Sequence, residues 1–306
     1  DRSGMFNKKS LNPILAEAIF PQKTREKWVE YFNSQDYDVI LTTASLSLRL
    51  AMIAPRLKAA TIGWQHNCYD GYLHVKPVVF WQQENLLQQY LPNLDRYIVL
   101  SDYDKRDYME KLGIDCEVKI NPRSFVSEKK CDVKSKRFLM ATRFVYAKGL
   151  DLMMESFEEF CKEDSEWELD IIGDGDLFDQ IRADAKKRHL EKRVHFVGYT
   201  NEPEKYYLNS SVFLLPSRWE GWPMVIMEAF EFGLPVIAFH TGAMDLIIDD
   251  GKTGYLPEAF DTKKFTDAML KLAHDEELRR EMSRNAIWKS EDFAIEKAVK
   301  EWNRLF

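Results

Sequence analysis

Short apolar runs alternate with amphipathic segments along most of this 306-residue chain. Such alternation predicts βαβ units, in which each helix returns the chain to the same edge of a parallel sheet. The first half predicts strands at 38–43, 60–65, 96–100 and 117–120, and helices at 24–33, 45–58 and 101–112. The second half predicts strands at 137–141, 167–172, 194–197, 212–215 and 235–238, and helices at 149–162, 177–188, 203–209 and 223–232. We therefore expect an α/β fold.

The length of the chain predicts two domains. The polar segment 124–136 has little periodicity and is the candidate linker. We therefore predict a first domain at 1–130, a second domain at 131–290 and a final helix at 291–306. The sequence opens without an obvious strand, so we expect the first domain to lack its first strand.

Charge and cysteine content narrow the range of functions. The net charge of -7 argues against a general nucleic-acid binder, which needs clustered Lys and Arg. The 4 cysteines are widely spaced, which is typical of free thiols in a reducing compartment and not of zinc or redox sites. No stretch approaches the roughly 20 apolar residues that span a bilayer. We predict a cytoplasmic protein; a slightly basic first half leaves open peripheral contact with the inner face of a membrane, or an ordinary solvated surface.

The segment 214–238, LLPSRWEGWPMVIMEAFEFGLPVIA, predicts a strand, a loop, a helix and a further strand. Pro223 suits the first turn of that helix, and Gly233 suits its end. Glu220 then lies in the loop and Glu228 in the helix, beyond the carboxyl end of a parallel strand, where open α/β sheets bind ligands. A helix N-terminus favours phosphate, whereas carboxylates accept hydrogen bonds from hydroxyl groups. The pattern predicts a ligand with polyol and phosphate parts, such as a sugar nucleotide.

Two cationic residues, Arg143 and Lys148, follow the first strand of the second half. They could hold a diphosphate and stabilise the negative charge that grows as a phosphate departs. The alternative is that one or both pair with surface acids. Because Glu220 and Glu228 follow an equivalent strand end, we favour the diphosphate role.

Weaker candidates lie at three other strand ends. Gly173, in IIGDGD, allows either close approach of a ligand or a tight turn. Tyr199, in VHFVGYT, could flank a base or pack internally. His66 follows TIGWQ and could hydrogen-bond a sugar hydroxyl, although a structural role is common for a single histidine. The segment 79–91 predicts a partly amphipathic helix, for which core packing is favoured over acceptor or membrane contact.

Motifs of other enzyme classes are missing from the sequence. There is no GxSxG, no HExxH and no carboxylate cluster with metal-ligand spacing. Serine hydrolase and zinc protease functions therefore lack support, and we predict no metal site.

Together the motifs resemble those of the retaining, sugar-nucleotide-dependent glycosyltransferases of family 4. PSRWEGWPMVIMEAFEFGLPVIA is similar to the E-x7-E signature of that family and RFVYAKG to its Arg-x4-Lys element, while GDG, VHFVGYT and DDGKTGYL occur in the expected order. The resemblance covers almost all of 137–260 and, more loosely, the first half. It implies a GT-B fold, in which two Rossmann-like domains with parallel sheets face an interdomain cleft.

The resemblance also implies a role for each candidate. Arg143 and Lys148 would bind the donor diphosphate, Glu228 the ribose hydroxyls and Glu220 the transferred sugar. His66 would match a first-domain histidine near the donor sugar, and the last helix would return to the first domain. The remaining donor-binding residues would be Gly221, Trp222, Pro223, Met224 and Val225, through their backbone, with Gly173 and Tyr199.

Members of that family retain the anomeric configuration by a front-face reaction, in which the departing phosphate helps to deprotonate the acceptor hydroxyl. By this resemblance Glu220 would orient and stabilise the sugar without attacking it, and no metal or cofactor would be needed. Residues 241–245, TGAMD, depart from the Gly-Gly-x-x-Glu turn of many relatives, and the glycine-rich loop of the first domain is not seen.

The resemblance implies transfer of a hexose from a nucleotide-sugar, with UDP as the expected nucleotide, to a hydroxyl of a glycan or lipid-linked glycan in surface polysaccharide synthesis. The alternative from another class is a catalytically silent GT-B subunit that binds a glycan or a partner protein. An epimerase or phosphorylase of the same fold agrees less well with the E-x7-E element.

Overall fold

A computed structural model describes residues 8–73 and 83–305. The chain divides into two compact units, Asp1–Ile120 and Asn121–Phe306. Segment 124–136, the candidate linker, lies in the second unit close to this division. The predicted return of the last helix to the first domain stays a prediction.

The described part of the first unit contains a parallel sheet with helices between its strands. The strands are β1 (Val39–Thr43), β2 (Ala60–Trp64), β3 (Arg96–Val99) and β4 (Glu117–Val118), paired in that order. The helices are α1 (Asn12–Ile19), α2 (Gln22–Ser34), α3 (Leu46–Ile53), α4 (Tyr69–Leu73), α5 (Glu84–Tyr90) and α6 (Asp102–Leu112). The strands and the three helices predicted above are confirmed, with shifted ends.

The largest shift is at the end of α3. The predicted helix continues to residue 58, but α3 ends at Ile53 and the chain enters the 3-10 turn Ala54–Arg56. Pro55 explains the difference because its ring is incompatible with the interior of an α-helix. Of the predicted helix 79–91, residues 79–82 lie outside the described part, and α5 occupies most of the remainder.

The second unit alternates strands and helices as the sequence predicts. Its strands are β5 (Arg137–Ala141), β6 (Glu168–Ile172), β7 (Val194–Gly198), β8 (Val212–Leu215), β9 (Val236–Ala238) and β10 (Gly254–Tyr255). Its helices are α7 (Leu150–Glu163), α8 (Phe178–Lys187), α9 (Glu204–Leu208), α10 (Met224–Phe232), α11 (Met244–Ile247), α12 (Thr262–His274), α13 (Glu276–Ser290) and α14 (Ile295–Trp302).

The strand order of this second sheet is β10-β9-β8-β5-β6-β7, with parallel pairing throughout. The chain builds β5, β6 and β7 outward in one direction, then returns to place β8 on the other side of β5. The loops that leave β5 and β8 therefore start side by side and diverge to opposite faces. In open α/β sheets this switch point is where ligands bind.

The core of the second unit explains why its strands form. All four residues of β8 are at most 1% exposed, as expected for a strand covered by helices on both faces. On one face, Phe138 of β5 packs against the rings of Phe160 and Trp167 at centroid distances of 5.1 and 4.6 Å. These buried rings hold the sheet rigidly beneath its loops.

A buried carboxylate connects the start of the second unit to α10. Glu231 is 2% exposed; its oxygens accept hydrogen bonds from Arg123 at 2.9 Å and from Lys130 at 2.8 Å. The backbone N–H of Ser127 donates to the same carboxylate at 2.9 Å, and Arg123 N donates to Phe293 O at 2.7 Å. Segment 121–131, which we call the entry segment, is thus fixed to α10 and to the residues before α14.

Within the described residues, no helix is both long and apolar enough to cross a membrane.

Replacing Glu231 by Ala should lower the free energy of unfolding by about 3 to 5 kcal/mol, because it removes the buried partner of Arg123 and of Lys130 and leaves Arg123 only the exposed carboxylate of Glu291. Urea unfolding of the variant and the wild type measures the loss. Glu276→Ala is the control, since Glu276 pairs with Arg280 on the exposed surface of α13 and should contribute little. Equally small losses in both variants would contradict a structural role for Glu231.

Candidate functional site

Four loops leave the carboxyl ends of β5, β6, β7 and β8 at the switch point of the second sheet. The β5 loop (142–149) carries Arg143 and Lys148, and the β8 loop (216–223) carries Glu220. The backbones of the β5 and β8 loops are in direct contact at Gly149. A Cβ atom placed on this glycine would lie only 1.9 Å from Pro216 O, so no larger residue fits there. The predicted cationic and acidic candidates therefore come from adjacent loops.

A cavity of about 540 Å³ lies among the β5, β6 and β7 loops and α10. Its size is within the usual range of small-molecule sites. Five of the residues predicted from the sequence line it, namely Arg143, Lys148, Gly173, Tyr199 and Val225. The structure thus brings together candidates that are as far apart as 82 positions in the sequence.

Lys148 and Glu220 form a partly buried ion pair at this edge. Lys148 Nζ lies 2.6 Å from Glu220 Oε1, and the two side chains are 18% and 10% exposed. Ser217 Oγ donates to the same oxygen at 2.7 Å. Lys148 thus pairs with a partly buried candidate residue and not with an acid on the exposed surface, and its role at a diphosphate stays a prediction. Within the described residues, Glu220 Oε2 receives no comparable bond.

Arg143 is exposed at the rim of the cavity. Within residues 8–73 and 83–305 it forms no ion pair or side-chain hydrogen bond. Its guanidinium therefore remains available for an anion, for which its planar fork of donors is well suited.

Glu228 lies on α10, where its carboxylate accepts a hydrogen bond from Tyr207. The Tyr207 Oη to Glu228 Oε2 distance is 2.9 Å. Tyr207 is 2% exposed, and its ring stacks between Phe213 and Phe232 at 5.8 and 5.1 Å. Burial raises the pKa of Glu228, and the bond from Tyr207 opposes that increase. The aromatic stack therefore holds Tyr207 in the position from which it donates to this carboxylate.

A second cavity, of about 590 Å³, lies on the Tyr207 side of Glu228. Glu228, Tyr207 and Phe232 line it, and Pro203 lines both cavities. The two cavities are therefore neighbours, and Glu228 lies at the wall of the second one.

The start of α10 supplies backbone donors. The helix begins at Met224, and Pro223 is the residue immediately before it. Pro223 therefore does not lie in the first turn, where we predicted it. The N–H groups of Met224 and Val225 belong to the first turn and have no intrahelical acceptor. Gly221 and Trp222 are buried, and the Trp222 ring lies 6.0 Å from that of Phe293.

Gly173 has a structural reason to be glycine. Its φ is +126°, and a Cβ there would lie 1.8 Å from Thr142 O. Its N–H donates to Gly198 O at 2.9 Å, so the β5, β6 and β7 loops are in backbone contact around it. Of the two alternatives for Tyr199, internal packing is wrong, because this ring is 79% exposed.

His66 belongs to the first unit, just after β2. Its ring lies 4.4 Å from that of Trp64, and partial burial lowers its pKa, which favours the neutral imidazole. Its role beside the donor sugar stays a prediction.

The sequence alone did not single out Ser217, Arg218 or Tyr207. The first two lie inside the PSRWE motif, and a small hydroxyl residue so close to Glu220 was the available signal for Ser217. Tyr207 is 21 positions before Glu228, and no sequence pattern connects the two. In the described residues, no group of three His, Cys, Asp or Glu side chains could hold a metal ion.

The sequence model of the family described as glycosyl transferases group 1 matches residues 124–288. The chain belongs to this family. The match lies entirely within the second unit and contains the β5 loop, the β8 loop and α10.

Relatives extend the likeness over more of the chain. An uncharacterized glycosyltransferase of Haemophilus influenzae is 29% identical over 87% of this chain and 75% of its own length. The amylovoran biosynthesis glycosyltransferase AmsD of Erwinia amylovora is 33% identical over 56% of this chain and 48% of its own length. The chain thus spans about half the length of AmsD.

Among solved structures, a point mutant of S. aureus TarM in complex with fondaparinux, alpha-GlcNAc-glycerol and UDP is similar, with a TM-score of 0.79. The comparison covers 92% of this chain and 58% of TarM at 22% identity. The expected GT-B class of fold, with two Rossmann-like domains, is confirmed.

Replacing Gly173 by Ala should destabilise the second unit by more than the roughly 1 kcal/mol expected for a left-handed glycine position alone. The additional loss comes from the overlap with Thr142 O. Thermal unfolding of the variant measures it. Gly251→Ala is the matched control, because Gly251 also has a positive φ, +73°, but has open space around it. The same loss in both variants would contradict the close approach of the β5 and β6 loops.

Proposed function

We propose that this chain is a retaining glycosyltransferase of family 4, which moves a hexose from a UDP-sugar to a hydroxyl of a glycan or lipid-linked glycan. The observation that carries the proposal is the placement of Arg143, Lys148 and Glu220 on two touching loops at the switch point of one sheet. These groups offer positive charge for a diphosphate and a carboxylate for sugar hydroxyls.

The donor diphosphate would bind between the Arg143 guanidinium, the Lys148 ammonium and the N-terminus of α10. Each of these groups favours negative charge, and the last does so through the backbone N–H groups of Met224 and Val225. The same groups would stabilise the additional charge on the departing phosphate, which lowers the activation barrier. The backbone of Gly221, Trp222 and Pro223 would lie beside the transferred sugar.

The two carboxylates would have separate roles, and their spacing forms the E-x7-E element. Glu228, fixed by Tyr207, would accept hydrogen bonds from the ribose hydroxyls. Glu220 would accept one from the transferred hexose through Oε2. Because Oε1 already accepts bonds from Lys148 and Ser217, the Glu220 carboxylate is a poor nucleophile, which favours orientation over attack.

Gly173 and the exposed ring of Tyr199 would border the base, and His66 of the first domain would contact the donor sugar. We propose no metal or cofactor, because the cationic side chains and the helix N-terminus supply the positive charge that the diphosphate needs. A cytoplasmic location and peripheral membrane contact stay predictions.

The relatives support the nucleotide and the class of acceptor. TarM was solved with UDP and alpha-GlcNAc-glycerol. AmsD is named for the biosynthesis of amylovoran. Retention of configuration and transfer of a hexose rest on the resemblance to family 4.

Incubation with a panel of UDP- and GDP-sugars and candidate glycan acceptors tests the function. We expect nucleotide release and a glycosylated product with a UDP-hexose, whose anomeric configuration is read by NMR. Inversion would contradict the retaining mechanism. Glycan binding with no nucleotide release from any donor would support the silent-subunit alternative instead.

Replacing Lys148 by Ala should lower kcat by about 100-fold or more, because charge stabilisation at the departing phosphate is lost. Steady-state kinetics with the active donor measures the effect. Lys264→Ala is the control, because Lys264 forms an exposed pair with Glu258 at 2.8 Å and should not affect turnover. An unchanged kcat for the Lys148 variant would remove this residue from the site.

Replacing Tyr207 by Phe should make UDP binding more sensitive to acid. The bond from Tyr207 lowers the pKa of Glu228, so its loss raises that pKa further above the ordinary glutamate value. The carboxylate is lost as the pH falls through the pKa, and UDP affinity should therefore begin to fall at a higher pH than in the wild type.

Calorimetric titration of UDP between about pH 5 and about pH 8 measures this shift. The adjacent Tyr206, whose ring lies 5.3 Å from Lys205 Nζ, provides the control variant Tyr206→Phe. The control should follow the wild-type profile. If Tyr207→Phe also follows it, the bond does not set the charge of Glu228 during binding.

A further inference from the structure

Arg218 joins the β8 loop, on which it lies, to the β5 loop through both its backbone and its side chain. Its backbone N–H donates to Ala147 O at 2.8 Å, and its Nη1 donates to Tyr146 O at 2.9 Å. Its guanidinium also binds both carboxylate oxygens of Asp151, at 2.8 and 2.6 Å. Arg218 Cζ lies 4.0 Å from the centre of the Tyr146 ring. We call this set of contacts the Arg218 clamp.

The clamp surrounds Lys148 in the sequence. Tyr146 and Ala147 immediately precede Lys148, and Asp151 lies in the first turn of α7 just after it. On the other loop, Arg218 lies between Ser217 and Glu220. The contacts of Arg218 therefore fix the backbone on both sides of Lys148 to the backbone that carries Glu220.

This arrangement differs from an ordinary surface ion pair. The Arg218 side chain is only 12% exposed, its pairing with Asp151 uses both carboxylate oxygens, and a ring covers its face. Such planar, bidentate and stacked contacts hold a guanidinium in one orientation, which a lysine ammonium does not reproduce. Burial raises the pKa of Asp151, but hydrogen bonding and attraction to Arg218 outweigh it and leave that pKa below its ordinary value.

We propose that Arg218 is a positioning residue for sugar transfer, which sets the separation between the Lys148 ammonium and the Glu220 carboxylate across the two loops. The inference rests on the proposed function, in which the Lys148 ammonium faces the departing phosphate and the Glu220 carboxylate faces the transferred sugar. Both must be in place in the transition state, and small displacements of catalytic groups reduce rates strongly. Arg218 thus affects turnover more than donor affinity.

Arg218→Lys tests the proposal, because it keeps the charge and removes the planar fork. We expect kcat to fall by about 10- to 100-fold. The KM for the donor and the dissociation constant of UDP should change by less than about 3-fold, since binding of the ground state is largely kept. An Arg218→Lys variant with unchanged kcat would overturn the proposal, as would a loss of UDP affinity as large as the loss of kcat.

Arg280→Lys provides the matched control. Arg280 also pairs with a carboxylate, Glu276, through Nε and Nη2 at 3.0 and 2.6 Å, but it lies on the surface of α13. The kcat of this variant should equal that of the wild type. If Arg280→Lys lowers kcat as much as Arg218→Lys does, the effect is a general one of replacing a paired guanidinium by an ammonium, and the proposal fails.

A second measurement separates the clamp from the proposed function. A double-mutant cycle of Lys148→Met and Glu220→Gln, followed by urea unfolding, gives the coupling between the two side chains without any turnover. If the clamp sets their separation, this coupling should be lost in the Arg218→Lys background. Unchanged coupling overturns the clamp even in an active enzyme. Lost coupling in a chain that transfers no sugar from any donor supports the clamp and rejects the proposed function.

Discussion

The pairing of β5 with both β6 and β8 is the constraint on which the second unit depends. Because the chain returns to the far side of β5, the loops after β5 and β8 start next to each other although they lie more than sixty residues apart in the sequence. The polar side chains of the β5 and β8 loops take their positions from this pairing. A different strand order would leave the same motifs intact in the sequence and separate them in space.

Close backbone packing holds these neighbouring loops in one arrangement. Gly149 and Gly173 bring neighbouring loops so close that a single additional carbon atom would overlap a carbonyl oxygen. Arg218 then adds side-chain contacts between two of these loops, and the stacked rings around Tyr207 hold the carboxylate on α10. Polar groups supported in this way need little rearrangement when charge develops near them, which is a general condition for electrostatic catalysis.

The sequence predicted the sheets well because their strands are short, apolar and separated by amphipathic helices of ordinary length. It also predicted that Arg143, Lys148, Glu220 and Glu228 follow strand ends, which is a local property. It missed the helices α1, α4 and α11 and the two-residue edge strand β10, which are short and receive their stability from tertiary packing. It missed Tyr207 because a contact between two helices depends on how they pack, and no spacing in the sequence encodes it.

Helix α10 serves two purposes on adjacent turns. Glu228 belongs to the candidate site, and Glu231, three residues later, holds the entry segment. Six of the nine residues of α10 are buried, and the other three, Met224, Val225 and Glu228, are half-buried beside the candidate site. A helix without a fully exposed position offers few sites at which a substitution has no consequence. Substitutions that change ligand preference should therefore be tolerated better in the surrounding loops than in this helix, where replacements alter the candidate site, the anchoring of the entry segment or the core.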